Sequence, residues 1–373
     1  MKFKDLNLNP RILRVLDEEG YQCLSHIQKL AIPLVSSGRD ILACAPTGTG
    51  KTAAFSLPII NHLAKGLKKW RETSVLILCP TRELAQQTTA QINKYAKYLP
   101  IRCHTVCGGT DSKQQLKALS KGVQIIVSTP GRLVSYLKKR SIDVKKVEFF
   151  VIDEVDKMLE MGFIKDINNV LSFLPAQKRQ NILFSATISK GVKITAKEIL
   201  QNEKFIDASS SSPLNENINQ IAISIKNSER THFLCQLIES KKIDRIIIFT
   251  RRKTNADHLS SLLNQKGFTS RAFHSDLEQK ERQETLKLFT EKSVNILVAT
   301  DLASRGLHVK DLQYVCNFDM PNNAQDYIHR IGRTGRLGKE GVAFSFVDKK
   351  DEKLLESIEM QIKKKIKRQK DLN

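Results

Sequence analysis

The 373-residue chain has no apolar run near the roughly 18 residues that a membrane-spanning helix requires. Its longest are short stretches such as Ile246 to Phe249. Its first residues, Met1-Lys2-Phe3-Lys4-Asp5, lack the apolar core of a signal peptide. The sequence therefore argues against membrane and secreted classes, and a cytoplasmic location is expected. Cysteine carries no pattern either: Cys23, Cys44, Cys79, Cys103, Cys107, Cys235 and Cys316 are scattered and odd in number. Cys103 and Cys107 flank His104, yet no second pair stands at zinc spacing, so the cysteines are expected to be buried free thiols in a reducing cytosol. Acidic residues are the minority, 39 against 61 Lys plus Arg, which leaves a formal net charge of +22.

That excess is spread through the chain. Up to Ser210 there are 32 basic and 18 acidic residues, a net +14; beyond it 29 and 21, a net +8. The tail from Gln361 to Asn373 carries six Lys and Arg against Asp371. A globular chain this basic suits a polyanionic partner, nucleic acid first, or it is merely a solvated basic surface.

At about 100–200 residues per domain the length predicts two domains. Short β-branched runs alternate with longer helical patterns in the first half: Asp40 to Ala45, Val75 to Pro80, Gln124 to Thr129, Phe149 to Glu154 and Asn181 to Ala186. The second half repeats the pattern with Arg245 to Thr250, Thr269 to His274, Asn295 to Thr300, Tyr314 to Asp319 and Gly341 to Val347. Alternation of this kind predicts α/β units around parallel sheets, with ligand sites at the C-terminal strand ends. The serine-rich segment 208–217 reads as a linker between domains at 1–207 and 218–350. From Asp351 a helix is expected, with Leu355, Ile358, Ile362 and Ile366 on one stripe and a basic tail behind it, either solvated or a tether for nucleic acid.

Two motifs carry chemistry. Ala45-Pro46-Thr47-Gly48-Thr49-Gly50-Lys51-Thr52 follows a strand and opens a helical pattern. Glycines there let backbone N–H groups close around phosphate oxygens at a helix N-terminus. Lys51 is placed to reach β- and γ-phosphates, and the Thr52 hydroxyl to ligate Mg2+. The strand Phe149 to Ile152 then emerges into Asp153-Glu154-Val155-Asp156. Crowded carboxylates call for a cation, which makes Asp153 the magnesium partner and Glu154 the group that orients or deprotonates a water.

With these motifs the chain, from Phe3 to about Val347, resembles the DEAD-box family of superfamily 2 RNA helicases, most closely its bacterial RhlE-type subgroup. The resemblance implies two tandem RecA-like domains that use ATP and Mg2+. Phe3, Gly20-Tyr21 and Ser25-His26-Ile27-Gln28 look like the Q motif, in which Gln28 would read adenine and Tyr21 would line the nucleotide. Alanine at position 45 is normal for the family's first motif, and Val155 replaces its usual alanine in the acidic one. Ser185-Ala186-Thr187 would couple nucleotide state to unwinding.

The resemblance also implies an RNA track. Arg82 in Pro80-Thr81-Arg82-Glu83-Leu84, Gly109 in Gly108-Gly109, and Thr129 and Arg132 in Thr129-Pro130-Gly131-Arg132 would grip the backbone from the first lobe. Phe249-Thr250, Gln279-Lys280-Glu281-Arg282 and Thr300-Asp301 would do so from the second, through Gln279, Arg282 and Thr300. Arginine, hydroxyl and glycine N–H donors suit phosphates and read no bases. In Tyr327-Ile328-His329-Arg330-Ile331-Gly332-Arg333-Thr334-Gly335-Arg336, Arg333 and Arg336 would reach the γ-phosphate as fingers, sharing a face if helical. Ser304-Arg305-Gly306-Leu307-His308 departs from the family: Gly306 and His308 would face the nucleotide, but His308 stands where aspartate usually holds the ribose. Neutral imidazole cannot make that charge-assisted contact, so weaker, acid-sensitive nucleotide binding is expected. Ser275, after His274, replaces the family's usual glycine.

The activity implied is an ATP-dependent RNA helicase acting on short duplexes as a monomer, with ribosome-assembly or RNA-degradation machinery as its partner class. The alternatives are an ATP-gated RNA clamp or chaperone with little unwinding, and a DNA helicase of the wider superfamily.

Overall fold

Each short apolar run becomes a strand. The computed structural model describes residues 1–46, 48–66, 72–109, 111–175, 179–208, 217–301, 312–335, 340–362 and 364–369. The chain divides into two units, Met1–Ser211 and Ser212–Asn373. The expected linker residues 209–216 lie outside the described residues, as do Thr47, Gly306, His308 and Arg336.

The first unit holds β1 (Ile41–Cys44), β2 (Val75–Leu78), β3 (Cys103–Val106), β4 (Ile125–Ser128), β5 (Phe149–Ile152), β6 (Gln180–Ser185) and β7 (Lys204–Asp207). They form one parallel sheet in the order β3-β4-β2-β5-β6-β1-β7. Its helices are α1 (Pro10–Glu18), α2 (His26–Ser36), α3 (Lys51–Lys65), α4 (Arg82–Tyr95), α5 (Ser112–Ser120), α6 (Pro130–Lys138), α7 (Val155–Glu160), α8 (Ile164–Leu171) and α9 (Lys190–Ile199). One core layer packs α2, α3 and α4 on one sheet face through Ile27, Phe55 and Ile92; the other packs α6 to α9 through Leu133, Met158, Ile167 and Val192. Burial on both faces is why the central strands read as continuous apolar runs.

At the edge opposite the motifs, the buried Asp40 carboxylate accepts the Asn181 N–H at 2.7 Å, the Asn181 side-chain amide at 3.0 Å and the Gln201 N–H at 2.8 Å. It thereby ties the starts of β1 and β6 to the turn before β7. Loss of such a hub leaves three donors unsatisfied, and Asp40→Ala is expected to destabilise the unit by about 2–4 kcal/mol in denaturant titration.

The second unit repeats the plan. Its strands are β8 (Ile218–Ser224), β9 (Ile246–Phe249), β10 (Ser270–Phe273), β11 (Ile296–Ala299), β12 (Tyr314–Asn317), β13 (Gly341–Val347) and β14 (Lys367–Gln369), and its helices α10 (Arg230–Ser240), α11 (Lys253–Gln265), α12 (Gln279–Thr290), α13 (Ala324–Ile331) and α14 (Glu352–Ile362). The sheet order, β10-β11-β9-β12-β13-β8-β14, copies that of the first unit strand for strand.

Three expectations need correction. The C-terminal helix stops at Ile362 instead of running to Ile366, and Lys367–Gln369 pair in parallel with β8 as an edge strand. Ile366 stays buried with Ile358 and Ile362, so the apolar stripe was sound although its last member is not helical. The basic tail is partly engaged: Lys365 and Arg368 both pair with buried Glu359, and Arg368 also with Glu352. Burial would raise the Glu359 carboxyl, but Lys365, the Ile366 N–H and Arg368 outweigh it and hold it below its usual value. A depressed carboxyl contributes stability that is present above its unfolded value and lost as pH falls through the folded one. Glu359→Gln, or acidification, is therefore expected to speed hydrogen exchange at Lys367–Gln369. Unchanged exchange would show that β14 holds without the charge. The second correction is Cys23, which is exposed whereas the other six thiols are buried. Third, α13 ends at Ile331, so Arg333 lies in the turn beyond it and shares no helical face.

Candidate nucleotide site and nucleic-acid interface

Apart from the Q motif at the start of α2, the motifs of the first unit follow the C-terminal ends of strands, and the sheet order sorts them into two groups. Ala45–Thr52 follows β1, Asp153–Asp156 follows β5 and Ser185–Thr187 ends β6; β5, β6 and β1 are neighbours. Pro80–Leu84 follows β2, Gly108-Gly109 follows β3 and Thr129–Arg132 follows β4, again neighbours. One half of the edge is phosphate loop and carboxylates; the other is arginine, glycine and hydroxyl.

In the first group, Gly50 caps α3 at φ 92°, a backbone region that glycine enters without strain. A Cβ there would also collide with Gln28 Nε2. Gln28 is buried and double-duty: its Oε1 accepts the Ser25 N–H at 2.9 Å, and its Nε2 donates to the Gly50 carbonyl at 3.2 Å. The Q-motif glutamine thus ties the start of α2 to the phosphate loop. Tyr21 packs edge-on against Phe3 and Tyr95, and its hydroxyl accepts from Gln91 and lies 3.3 Å from that of Tyr95. Gly50→Ala is expected to cost at least ~1 kcal/mol in strain and displacement of Gln28. Thermal unfolding and nucleotide titration both read that loss.

Ala45 contributes backbone: its N–H donates to the Ser185 carbonyl at 2.9 Å, and its side chain is buried. Thr49 donates to the Pro46 carbonyl at 2.8 Å, which closes the loop on itself. Gly48, at φ 81°, turns the chain. Lys51 is buried, and its Nζ has no hydrogen-bond partner among the described residues; the same holds for Asp153 Oδ1. Burial pushes the Asp153 carboxyl up to about 6, with Lys51 opposing and Glu154 adding to the rise. A buried cation and a buried carboxylate oxygen without partners are costly. They suit an anion and a cation arriving together.

The three acidic side chains are not equivalent. Asp156 is already spent: Oδ2 accepts the Thr187 N–H at 3.0 Å and its hydroxyl at 2.9 Å, while Oδ1 accepts the Lys157 N–H. Ser185 donates to the Thr187 carbonyl at 2.6 Å. The acidic segment and Ser185–Thr187 therefore form one bonded unit, a role for Asp156 that no local signal announces across 31 residues. Glu154, the residue before α7, sits at φ 60° and is buried. Left-handed backbone in a non-glycine residue costs energy and marks functional positions.

In the second group Thr81 caps α4 by accepting the Leu84 N–H, which places Arg82 in the first turn. The Arg82 guanidinium lies against Gly108 and Gly109, where a Cβ at Gly109, φ 73°, would strike it. Arg132 donates to Ser112 at 2.8 Å and covers the Tyr136 ring, and Thr129 precedes α6 half-buried.

The second unit mirrors this edge. Phe249-Thr250, Gln279–Arg282 and Thr300 follow β9, β10 and β11, which are neighbours. Gln279 opens α12, Arg282 lies over the Phe273 ring at 4.8 Å, and Thr300 is buried. Buried Arg333 follows α13, its N–H donating to the Arg330 carbonyl at 3.1 Å.

Residues 25–195 match the family model described as DEAD/DEAH box helicase, and residues 229–338 that of the helicase conserved C-terminal domain. The chain is 40% identical over 364 residues to the DEAD-box ATP-dependent RNA helicase RhpA of Helicobacter pylori, covering 98% of this chain and 73% of the relative. It is 36% identical over 365 residues to the ATP-dependent RNA helicase CshA of Listeria monocytogenes, covering 98% and 69%. Saccharomyces cerevisiae Dbp5 bound to RNA and ADP BeF3 matches with a TM-score of 0.89 at 30% identity, over 99% of this chain and 95% of that one. A DEAD box protein of Methanococcus jannaschii matches with a TM-score of 0.59 at 37% identity, over 99% of both. Such identity over nearly the whole length, on a sheet edge sorted into a phosphate-loop half and an arginine-, glycine- and hydroxyl-bearing half, places the chain in the DEAD/DEAH box helicase family.

Proposed function

We propose that this protein is an RNA-stimulated ATPase that remodels or locally unwinds short RNA duplexes. One observation carries the reading: nucleotide motifs and backbone-gripping motifs share one sheet edge, on adjacent strand triplets. ATP is held by the backbone of Gly48 to Lys51, with Gln28 at the adenine and Tyr21, Pro46 and Thr47 beside it, and Gly306 and His308 are the nucleotide contacts assigned to the second unit. Lys51 neutralises the β- and γ-phosphates. The unpartnered Asp153 oxygen and the Thr52 hydroxyl fit Mg2+, which when bound supplies positive charge at the phosphates. Glu154 takes a proton from the attacking water. Arg333 and Arg336 offset charge developing on the γ-phosphate once both ligands are bound. Arg82, Gly109, Thr129, Arg132, Gln279, Arg282 and Thr300 grip the RNA backbone, and Ser185 and Thr187 join the two events through Asp156. The protein acts as a cytoplasmic monomer, among ribosome-assembly or RNA-degradation partners.

ATP turnover measured with saturating RNA, DNA or neither tests this. RNA alone is expected to stimulate, and equal rates in all three would overturn the proposal. His308 favours a second reading, an ATP-gated clamp, because it weakens the ribose contact. Displacement of one strand from a short RNA duplex separates the two, and His308→Asp is expected to lower the Michaelis constant for ATP.

A further inference from the structure

We infer that Arg330 is the positioning residue that transmits RNA engagement at Thr300-Asp301 to Arg333. The inference deepens the proposed function and rests on it. All of its parts lie in the second unit. Arg330 is almost fully buried, and four of its N–H groups are committed. Its Nε and Nη2 donate to the two Asp301 carboxylate oxygens at 2.6 and 2.8 Å, a bidentate fork. Its Nη1 donates to Asn317 Oδ1 at 3.1 Å and to the Asp319 carbonyl at 2.6 Å. The guanidinium also lies 5.2 Å from the Phe249 ring centre. One side chain therefore joins the ends of β9, β11 and β12.

Its attachments differ in firmness. Asn317 is held from β13, its amide donating to Ser345 at 3.0 Å. The Asp319 carboxylate accepts from Arg230 on one oxygen and from the Arg251 N–H on the other. That side of the junction is braced from three elements. On the remaining side the fork fixes Asp301, and with it Thr300, whose N–H donates to the Phe273 carbonyl. The Arg330 carbonyl in turn accepts the Arg333 N–H. A path of covalent and hydrogen bonds thus runs from the residue proposed to hold RNA to the residue proposed to act on the γ-phosphate. A buried ion pair gains little stability over apolar packing of the same volume, so its energetic value alone does not account for one here. What it confers is a fixed relation between two segments.

Lysine keeps the charge but presents one compact ammonium, which cannot serve Asp301, Asn317 and Asp319 together. In Arg330→Lys, basal ATP turnover and nucleotide affinity are expected to stay within about twofold, while the fold-stimulation by RNA drops by about tenfold. Nucleotide should also cease to tighten RNA binding. A purely structural role would lower basal and stimulated rates by the same factor, and that outcome, or an unchanged stimulation ratio, overturns the inference. Asp301→Asn breaks the fork from the other side while keeping its shape. It should lower the same ratio, and the double variant should be no worse than Arg330→Lys alone. Additive losses would count against the path. Should Arg330→Lys fail to fold by circular dichroism, the ratio in Asp301→Asn decides, an unchanged value overturning the inference. Wild-type protein that RNA does not stimulate overturns the functional reading and this inference with it. A stimulated wild type with equally stimulated variants overturns the inference alone.

Discussion

Glu154→Gln is expected to bind ATP and RNA and to lose turnover by about 10²–10⁴-fold, the range a positioned general base supplies. The amide keeps the shape of the carboxylate but has no basicity. Two structural facts single out Glu154. Asp156 is consumed by Thr187, and Asp153 stands beside Lys51, where its unpartnered oxygen suits a cation. Glu154 is left, held in a left-handed conformation between the end of β5 and α7. Single-turnover hydrolysis with RNA present measures the loss directly. Turnover near wild type would move the base to another residue.

Lys51→Ala is expected to lower nucleotide affinity by at least about tenfold and to abolish turnover. The expectation follows from burial. Lys51 is 6% exposed, and its buried ammonium has no hydrogen-bond partner among the described residues. A bound phosphate supplies a partner for this buried cation, and truncation removes that gain, worth about 1.4 kcal/mol or more. Lys51→Arg keeps the charge but not the compact shape, and should restore binding only in part. Calorimetric titration with ATP separates affinity from turnover. If Lys51→Ala bound as tightly as wild type, the orphaned ammonium would have another purpose.

What could be read in the sequence follows burial. The central strands of both sheets are covered on both faces, so they appear as unbroken apolar runs and were placed to within a residue or two. The four strands left unread, β3, β7, β8 and β14, sit at or next to sheet edges. In β7 only Ile206 is buried, and β14 is three residues carrying two positive charges. Edge strands lack the apolar signal because one flank and part of one face meet solvent. The phosphate loop was legible because its chemistry is local: glycines, lysine and threonine within eight residues. The division of labour among Asp153, Glu154 and Asp156 was not, since it depends on Thr187, far along the chain. Arg330 was hidden for the same reason. It lies in a recognisable motif, yet its partners Asp301, Asn317 and Asp319 come from two other strand ends.

The +22 charge suggested a polyanion without naming it. The structure gives some of that charge definite places. Lys365 and Arg368 neutralise Glu359, Arg330 and Arg230 are buried against carboxylates, Arg82 lies against Gly108 and Gly109, and Arg132 is bonded to Ser112. What is left on the surface attracts RNA without sequence preference, and that attraction should weaken as salt rises.

The central claim is that ATP and RNA are linked ligands of one device. If so, each must raise the affinity for the other by the same factor. The most direct test is RNA affinity measured by fluorescence anisotropy on the full chain, with and without a non-hydrolysable ATP analogue and Mg2+ at fixed salt. The account predicts tightening of about tenfold or more with the analogue, matched by equal tightening of the analogue when RNA is present. Equal RNA affinities in both conditions would contradict it.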